Sequence, residues 1–128
     1  MLVVDTSAIV AILLDEPDAM VLAHRLEQTT KRFLYTATYV ELTAVLTRRF
    51  DPGYVDQIVE TFLGEANLEL TPVSVWQARL AKEAYTTYRI LNYGDTFSYA
   101  LAKDLNAPLL FKGQDFSRTD VVDALAKL

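Results

Sequence analysis

Apolar and polar positions along the 128-residue chain follow two alternating periods. Short unbroken apolar runs predict strands covered on both faces: Leu2-Val3-Val4, Phe33-Leu34-Tyr35-Thr36, residues 68–73 and Pro108-Leu109-Leu110-Phe111, with Val121-Val122 as a short edge strand. Between them, apolar residues recur at helical spacing. Thr6 and Ser7 cap a helix carrying Ala8, Ile9, Ala11, Ile12 and Leu13, and Asp15-Glu16-Pro17 opens a second with Ala19, Leu22, Ala23 and Leu26 inward. Thr38 starts a third with Val40, Ala44 and Val45 inward. Asp51-Pro52 starts a fourth with the cleanest stripe, Val55, Ile58, Val59, Phe62, Leu63 and Ala66. Ser74-Val75-Trp76-Gln77 fits a capping box opening a fifth through Ala81, Ala84, Tyr85 and Tyr88. After the break at Asn92-Tyr93-Gly94, Asp95 begins a sixth, with Phe97, Ala100, Leu101 and Leu105 inward. Strands separated by helices of this length pair in parallel. The expected architecture is α/β, one domain over residues 1–128, with a parallel sheet of four to five short strands flanked by helices.

Composition narrows the chemistry. Without cysteine, neither disulfides nor thiolate metal sites are available, which fits a reducing, cytoplasmic setting. The first apolar run meets Asp5 after four residues, too short for a signal peptide or membrane span. A net charge of −5 argues against broad adhesion to nucleic acid or anionic lipid, so a phosphate partner must be met locally. His24, the only histidine, falls on the surface of the second helix and reads as a solvated bystander. Thiol, zinc and Ser-His-Asp mechanisms therefore lack their ordinary parts.

What remains is acids at places where strands end and helices begin: Asp5, Glu41, Asp95 and Asp115. Each has a plain structural explanation. Asp5 precedes a helix, where the macrodipole favours an acid. Thr38-Tyr39-Val40-Glu41 matches a capping box, Asp95 an N-cap, and Asp115 a turn cap before Phe116. Jointly those explanations weaken. Asp5 and Asp115 follow predicted strand ends, while Glu41 and Asp95 fall in first helical turns, and a parallel sheet brings all of these to one rim. Four carboxylates converging there would repel one another. Clusters of oxygen donors suit Mg²⁺ or Mn²⁺, which can polarise a phosphodiester without a histidine base. Asp5 and Asp95, on rigid element ends, are the expected metal ligands. Asp120 is the acid most easily confused with Asp115, and Lys112, Arg118 and Arg89 read as surface charges.

The stretches Val4-Asp5-Thr6-Ser7-Ala8, Thr38-Tyr39-Val40-Glu41, residues 92–102 and residues 109–116 resemble the PIN domain, and more narrowly the VapC toxins of bacterial toxin–antitoxin pairs. The likeness runs from Met1 to about Val122 in the right order, and its Gly94-Asp95 and Lys112-to-Phe116 blocks together are specific. It implies a PIN-like fold and a Mg²⁺- or Mn²⁺-dependent endoribonuclease acting on RNA, inhibited by a cognate small antitoxin and usually a homodimer. Its motif acids match Asp5, Glu41, Asp95 and Asp115. One departure is the stretch at residues 85–91, shorter than in many relatives, which often carry a Gly/His/Pro-containing insertion there. It bears on substrate-side contacts and leaves the metal site untouched.

An acidic cleft attracts a cationic side chain, so the expected antitoxin lays an apolar segment beside it and points a basic residue at the acids. Exposed apolar positions on the first two helices and the one starting at Thr38 are the expected docking surface. Other classes fit the sequence less well. A phospho-receiver domain needs an acceptor Asp ending its middle strand, and the nearest, Asp56, lies in a strong helical stripe. A phosphatase using Asp5 as nucleophile meets Ser7 where a second Asp is expected. A housekeeping nuclease of the same fold and a catalytically silent binding module complete the alternatives.

Overall fold

Four strands, β1 (Leu2–Val4), β2 (Arg32–Tyr35), β3 (Leu68–Thr71) and β4 (Leu109–Leu110), form one sheet in a computed structural model that describes residues 1–126. All three pairings are parallel and the order is β3-β2-β1-β4. Six helices connect them: α1 (Thr6–Leu13), α2 (Ala19–Glu27), α3 (Thr36–Leu46), α4 (Pro52–Glu65), α5 (Val75–Thr87) and α6 (Tyr93–Leu105). The expected fifth strand is reduced to a single parallel bridge, Leu109 to Asp123, flanked by hydrogen bonds of Leu109 to Val122 and Ala124.

Every residue of β1 is apolar because both faces of the sheet are covered, and alternate side chains enter different cores. Leu2 and Val4 join Leu34 and Leu110 against α1 to α4, whereas Val3 joins Tyr35 and Leu109 against α5 and α6. The chain leaves β1 toward β2 and β3 on one side, then returns to place β4 on the other. The sheet therefore changes direction between β1 and β4, and an open α/β sheet has its crevice at such a point, beyond the carboxyl ends of the strands.

Local signals set most helix ends. Asp51 caps α4 through the Gly53 amide with Pro52 in the first turn, and Ser74 with Gln77 forms the expected capping box. Other expectations are corrected, beginning with α1, which Asp5 caps in place of Thr6 and Ser7. α2 starts at Ala19, not at Asp15-Glu16-Pro17, because Asp15 takes a left-handed φ of 51° that turns the chain between the helices. α6 starts at Tyr93 with Asn92, not Asp95, as its cap. α3 starts at Thr36 directly from the end of β2, so Glu41 lies in its second turn and cannot close a capping box with Thr38. The inward stripe of α3 is Thr38, Leu42 and Leu46, while Val40 is 66% exposed. No helix among the described residues is long and apolar enough to cross a membrane.

Candidate active site

Asp5 stands where β1 ends, only 2% exposed, and caps α1. Its Oδ2 accepts from the Ser7 amide (3.0 Å) and the Ser7 hydroxyl (2.7 Å), and its Oδ1 accepts from the Ser98 hydroxyl on α6 (2.6 Å). One carboxylate is thus held from two helices. Glu41 projects from α3, and its Oε1 accepts from the Thr6 hydroxyl (2.6 Å). The carboxylate then lies over Gly94, so closely that a Cβ there would fall 1.5 Å from Oε2.

Asp95 is the third residue of α6 and half of a reciprocal cap. Its Oδ2 accepts from the Asn92 amide (3.1 Å) while Asn92 Oδ1 accepts from the Asp95 amide (2.8 Å). Capping engages one carboxylate oxygen, and Oδ1 has no such bond. Asp115 is exposed in the turns after β4. The Lys112 amide donates to Ser7 Oγ (3.0 Å), tying that segment to α1, and the Lys112 ammonium pairs with Glu16 and with Asp18 (3.3 Å).

All four acids line one open cleft of about 450 Å³, together with Thr6, Ser7, Glu16, Asn92 and Lys112. They come from four separate segments. Burial pushes the Asp95 carboxyl up to about 7, against the Asn92 hydrogen bond and with help from the charges of Asp5, Asp115 and Glu41. Burial also raises Glu41, opposed by the Thr6 hydrogen bond and reinforced by Asp5.

These shifts predict how metal-free protein responds to pH. Folded Asp95 holds its proton to about 7, whereas an unfolded aspartate releases it near 3.8. Between those values the folded state binds more protons, so stability is highest below that window and falls as pH rises through it. The Tm in EDTA should therefore drop from about pH 5 to about pH 7, and Asp95→Asn should flatten the slope. A parent Tm that is level or rising across that interval contradicts the assignment.

Several site residues carried no obvious signal. Ser98 follows Asp95 at i+3, one face of a helix, and Thr6 simply follows Asp5. Gly94 and Glu16 matter through contacts with distant segments, Glu41 and Lys112, whereas Asn92 acts locally on Asp95. Lys112, read as a surface charge, lines the cleft. The residues set aside stay apart: His24 is exposed beside Gln28, and Asp56 is exposed on α4. Asp120 accepts from Tyr99 and Tyr88 and pairs with Lys103 (3.0 Å).

Among the described residues, no group of three or more acidic or histidine side chains is posed to hold one ion unaided. The donor set nonetheless fits a hard cation. It consists of carboxylate and hydroxyl oxygens, two of its acids are pushed upward by burial and neighbouring negative charge, and Mg²⁺ commonly takes only one or two carboxylates beside water and phosphate.

Residues 2–122 match the PIN domain family. Over 127 residues the chain is 44% identical to ribonuclease VapC30 of Mycobacterium tuberculosis, covering 94% of this chain and 95% of that protein. Its fold is similar to the crystal structure of Mycobacterium tuberculosis VapC20, a sarcin-ricin loop cleaving toxin, with a TM-score of 0.78 at 13% identity over 96% of this chain and 98% of that one. A toxin-antitoxin complex from Klebsiella pneumoniae gives a TM-score of 0.70 at 15% identity, covering 95% of each chain.

Proposed function

Because the chain belongs to the PIN-domain family and, within it, to the VapC ribonucleases, we propose that it is a divalent-metal-dependent endoribonuclease and the toxin of a toxin–antitoxin pair. One observation carries the reading: four acids from four segments line a single cleft at the point where the sheet changes direction. Asp5 and Asp95 would hold Mg²⁺ or Mn²⁺, which supplies a Lewis acid for the phosphodiester and a means of activating water.

The chain's own residues prepare that chemistry. Ser7 and Ser98 fix both oxygens of Asp5, so its orientation does not depend on a ligand. Asn92 fixes one oxygen of Asp95 and leaves Oδ1 for the cleft. Thr6 holds Glu41, whose raised pKa suits a group that takes a proton from an attacking water. Asp115, exposed at the mouth, adds negative charge where a cation enters.

The partner reading rests on the acids together with exposed apolar side chains of α2 and α3. An antitoxin would lay an apolar segment along exposed Met20 and Val21 of α2 and Val40 of α3, next to Glu41, and direct an arginine at the acids. Such a pair acts in the cytoplasm, with RNA as substrate.

Purified protein should cleave members of a panel of structured RNAs in Mg²⁺ or Mn²⁺ and none in EDTA. Expression alone should slow growth, and co-expression of the neighbouring small open reading frame should restore it. Undiminished cleavage in EDTA overturns the metal mechanism. Harmless expression of a protein active on RNA makes it a housekeeping nuclease.

A further inference from the structure

The first turn of α6 divides two different surfaces. On one side Asn92 and Asp95 line the acidic cleft. On the other, Tyr93, Thr96 and Phe97 face α5 across a groove of about 300 Å³, completed by Ala81, Lys82 and Tyr85. Tyr85 also lines an adjoining recess of about 350 Å³ with Arg89 and Leu91. Only the width of one helix, roughly 10 Å, separates this groove from the acids.

Three features set the groove apart. Tyr93 is 73% exposed and Tyr85 55%, large aromatic surfaces left to solvent. Tyr93 is nevertheless oriented, since its ring packs edge-to-face on Phe97 (5.1 Å, 82°), which packs in turn on fully buried Tyr35. The charged residues lining the groove and the recess are Lys82 and Arg89, with no acid among the lining residues, in a chain whose net charge is −5. Oriented aromatic faces flanked by cations are how proteins hold single-stranded nucleic acid, stacking bases and neutralising phosphates.

We propose that this groove is a nucleobase subsite, in which a base of the RNA strand entering the acidic cleft stacks on Tyr93 and Tyr85 while Lys82 and Arg89 meet flanking phosphates. It rests on the nuclease reading, and gives an acidic protein a local patch of positive charge for a polyanion, beside a cleft lined by acids. The short stretch at residues 85–91 supplies Tyr85 and Arg89. A second copy of the chain docked two-fold on the same groove would bring the same cations to both sides of the interface, which disfavours it.

The test uses fluorescence anisotropy in EDTA with two labelled probes, a dodecamer of riboadenylate and an abasic ribose-phosphate dodecamer. Cleavage of RNA in Mg²⁺ and the solution mass are measured alongside. Tyr93→Ala should weaken the adenylate probe roughly tenfold and leave the abasic probe unchanged. Tyr93→Phe should stay within about twofold of the parent, because it keeps the ring. Lys82→Ala should weaken both probes. Equal binding of the two probes by the parent, or an adenylate affinity indifferent to Tyr93→Ala, overturns the subsite. A parental dimer that Tyr93→Ala converts to monomer also overturns it, assigning the groove to a second copy. If the parent cleaves no RNA yet Tyr93→Ala still weakens the adenylate probe selectively, the base subsite stands and the nuclease reading falls.

Discussion

Asp5→Asn should lower RNA cleavage at least a hundredfold, about 3 kcal/mol of transition-state stabilisation, with little change in the fold. Asparagine caps helices about as well as aspartate, so α1 keeps its start. Its side-chain oxygen can still accept from Ser7 or Ser98, whose hydroxyls can rotate to suit the amide. What disappears is the charge. A buried carboxylate, 2% exposed and already held at both oxygens, is preorganised for a cation, and a neutral amide is a much weaker ligand for Mg²⁺. Stability should move by no more than about 1 kcal/mol, and upward if relief of repulsion with Glu41 and Asp95 dominates. Initial rates on a cleaved RNA and urea unfolding, measured side by side, decide the matter. Parental activity in a folded Asp5→Asn protein removes Asp5 from the metal site.

Gly94→Ala should be nearly as damaging, for a reason confined to one contact. Its Cβ would fall 1.5 Å from Glu41 Oε2 and 2.4 Å from its Cδ, so the carboxylate must leave its place. The backbone poses no obstacle, because Gly94 lies in the first turn of α6 and has no positive φ. Replacing a helical glycine by alanine favours the folded state by about 0.5–1 kcal/mol, which partly offsets the lost Thr6 hydrogen bond. The protein should therefore fold with near-parental stability and cleave RNA roughly a hundredfold more slowly, as should Glu41→Gln. Combining the two should cost no more activity than either alone, since both remove the same placed carboxylate. Additive losses would show that Gly94 serves something besides Glu41. Full activity of Gly94→Ala would free Glu41 of any catalytic part.

The two substitutions act on different kinds of information. Asp5 is legible along the chain: an apolar run stops, an acid follows, and Thr6 and Ser7 start a helix. The strands that bring Asp115 to the same rim are equally plain, because a strand buried on both faces must be apolar throughout. Asp95 was visible as an acid at a helix start, though the cap proved to be Asn92, three residues earlier. Glu41 lines the cleft with them, and the cap that its spacing suggests does not form. The spacing from Thr38 imitates a capping box, but β2 runs into α3 without a loop and shifts the helix start by two residues. The same shift turned Val40 outward and Leu42 inward, because an amphipathic stripe cannot be phased until its first turn is anchored.

Sequence alone determined the α/β architecture, the helix caps at Asp51 and Ser74, the lack of a thiol, and which acids stand at strand ends and helix starts. Those features depend on residue type and local spacing, through strand apolarity, helical periodicity and backbone hydrogen bonding. Tertiary structure alone decided which partners hold the acids in place. Ser98 meets Asp5 across 93 residues, Thr6 meets Glu41 across 35, and the Lys112 amide meets Ser7 across 105. It also decided that Gly94 must lack a side chain and that Tyr93 stands exposed and braced beside the cleft. Contacts of that kind arise only once β1 lies beside β4, α1 packs on α3 and α6 packs on the strands, since packing sets them and local propensity carries no record of it.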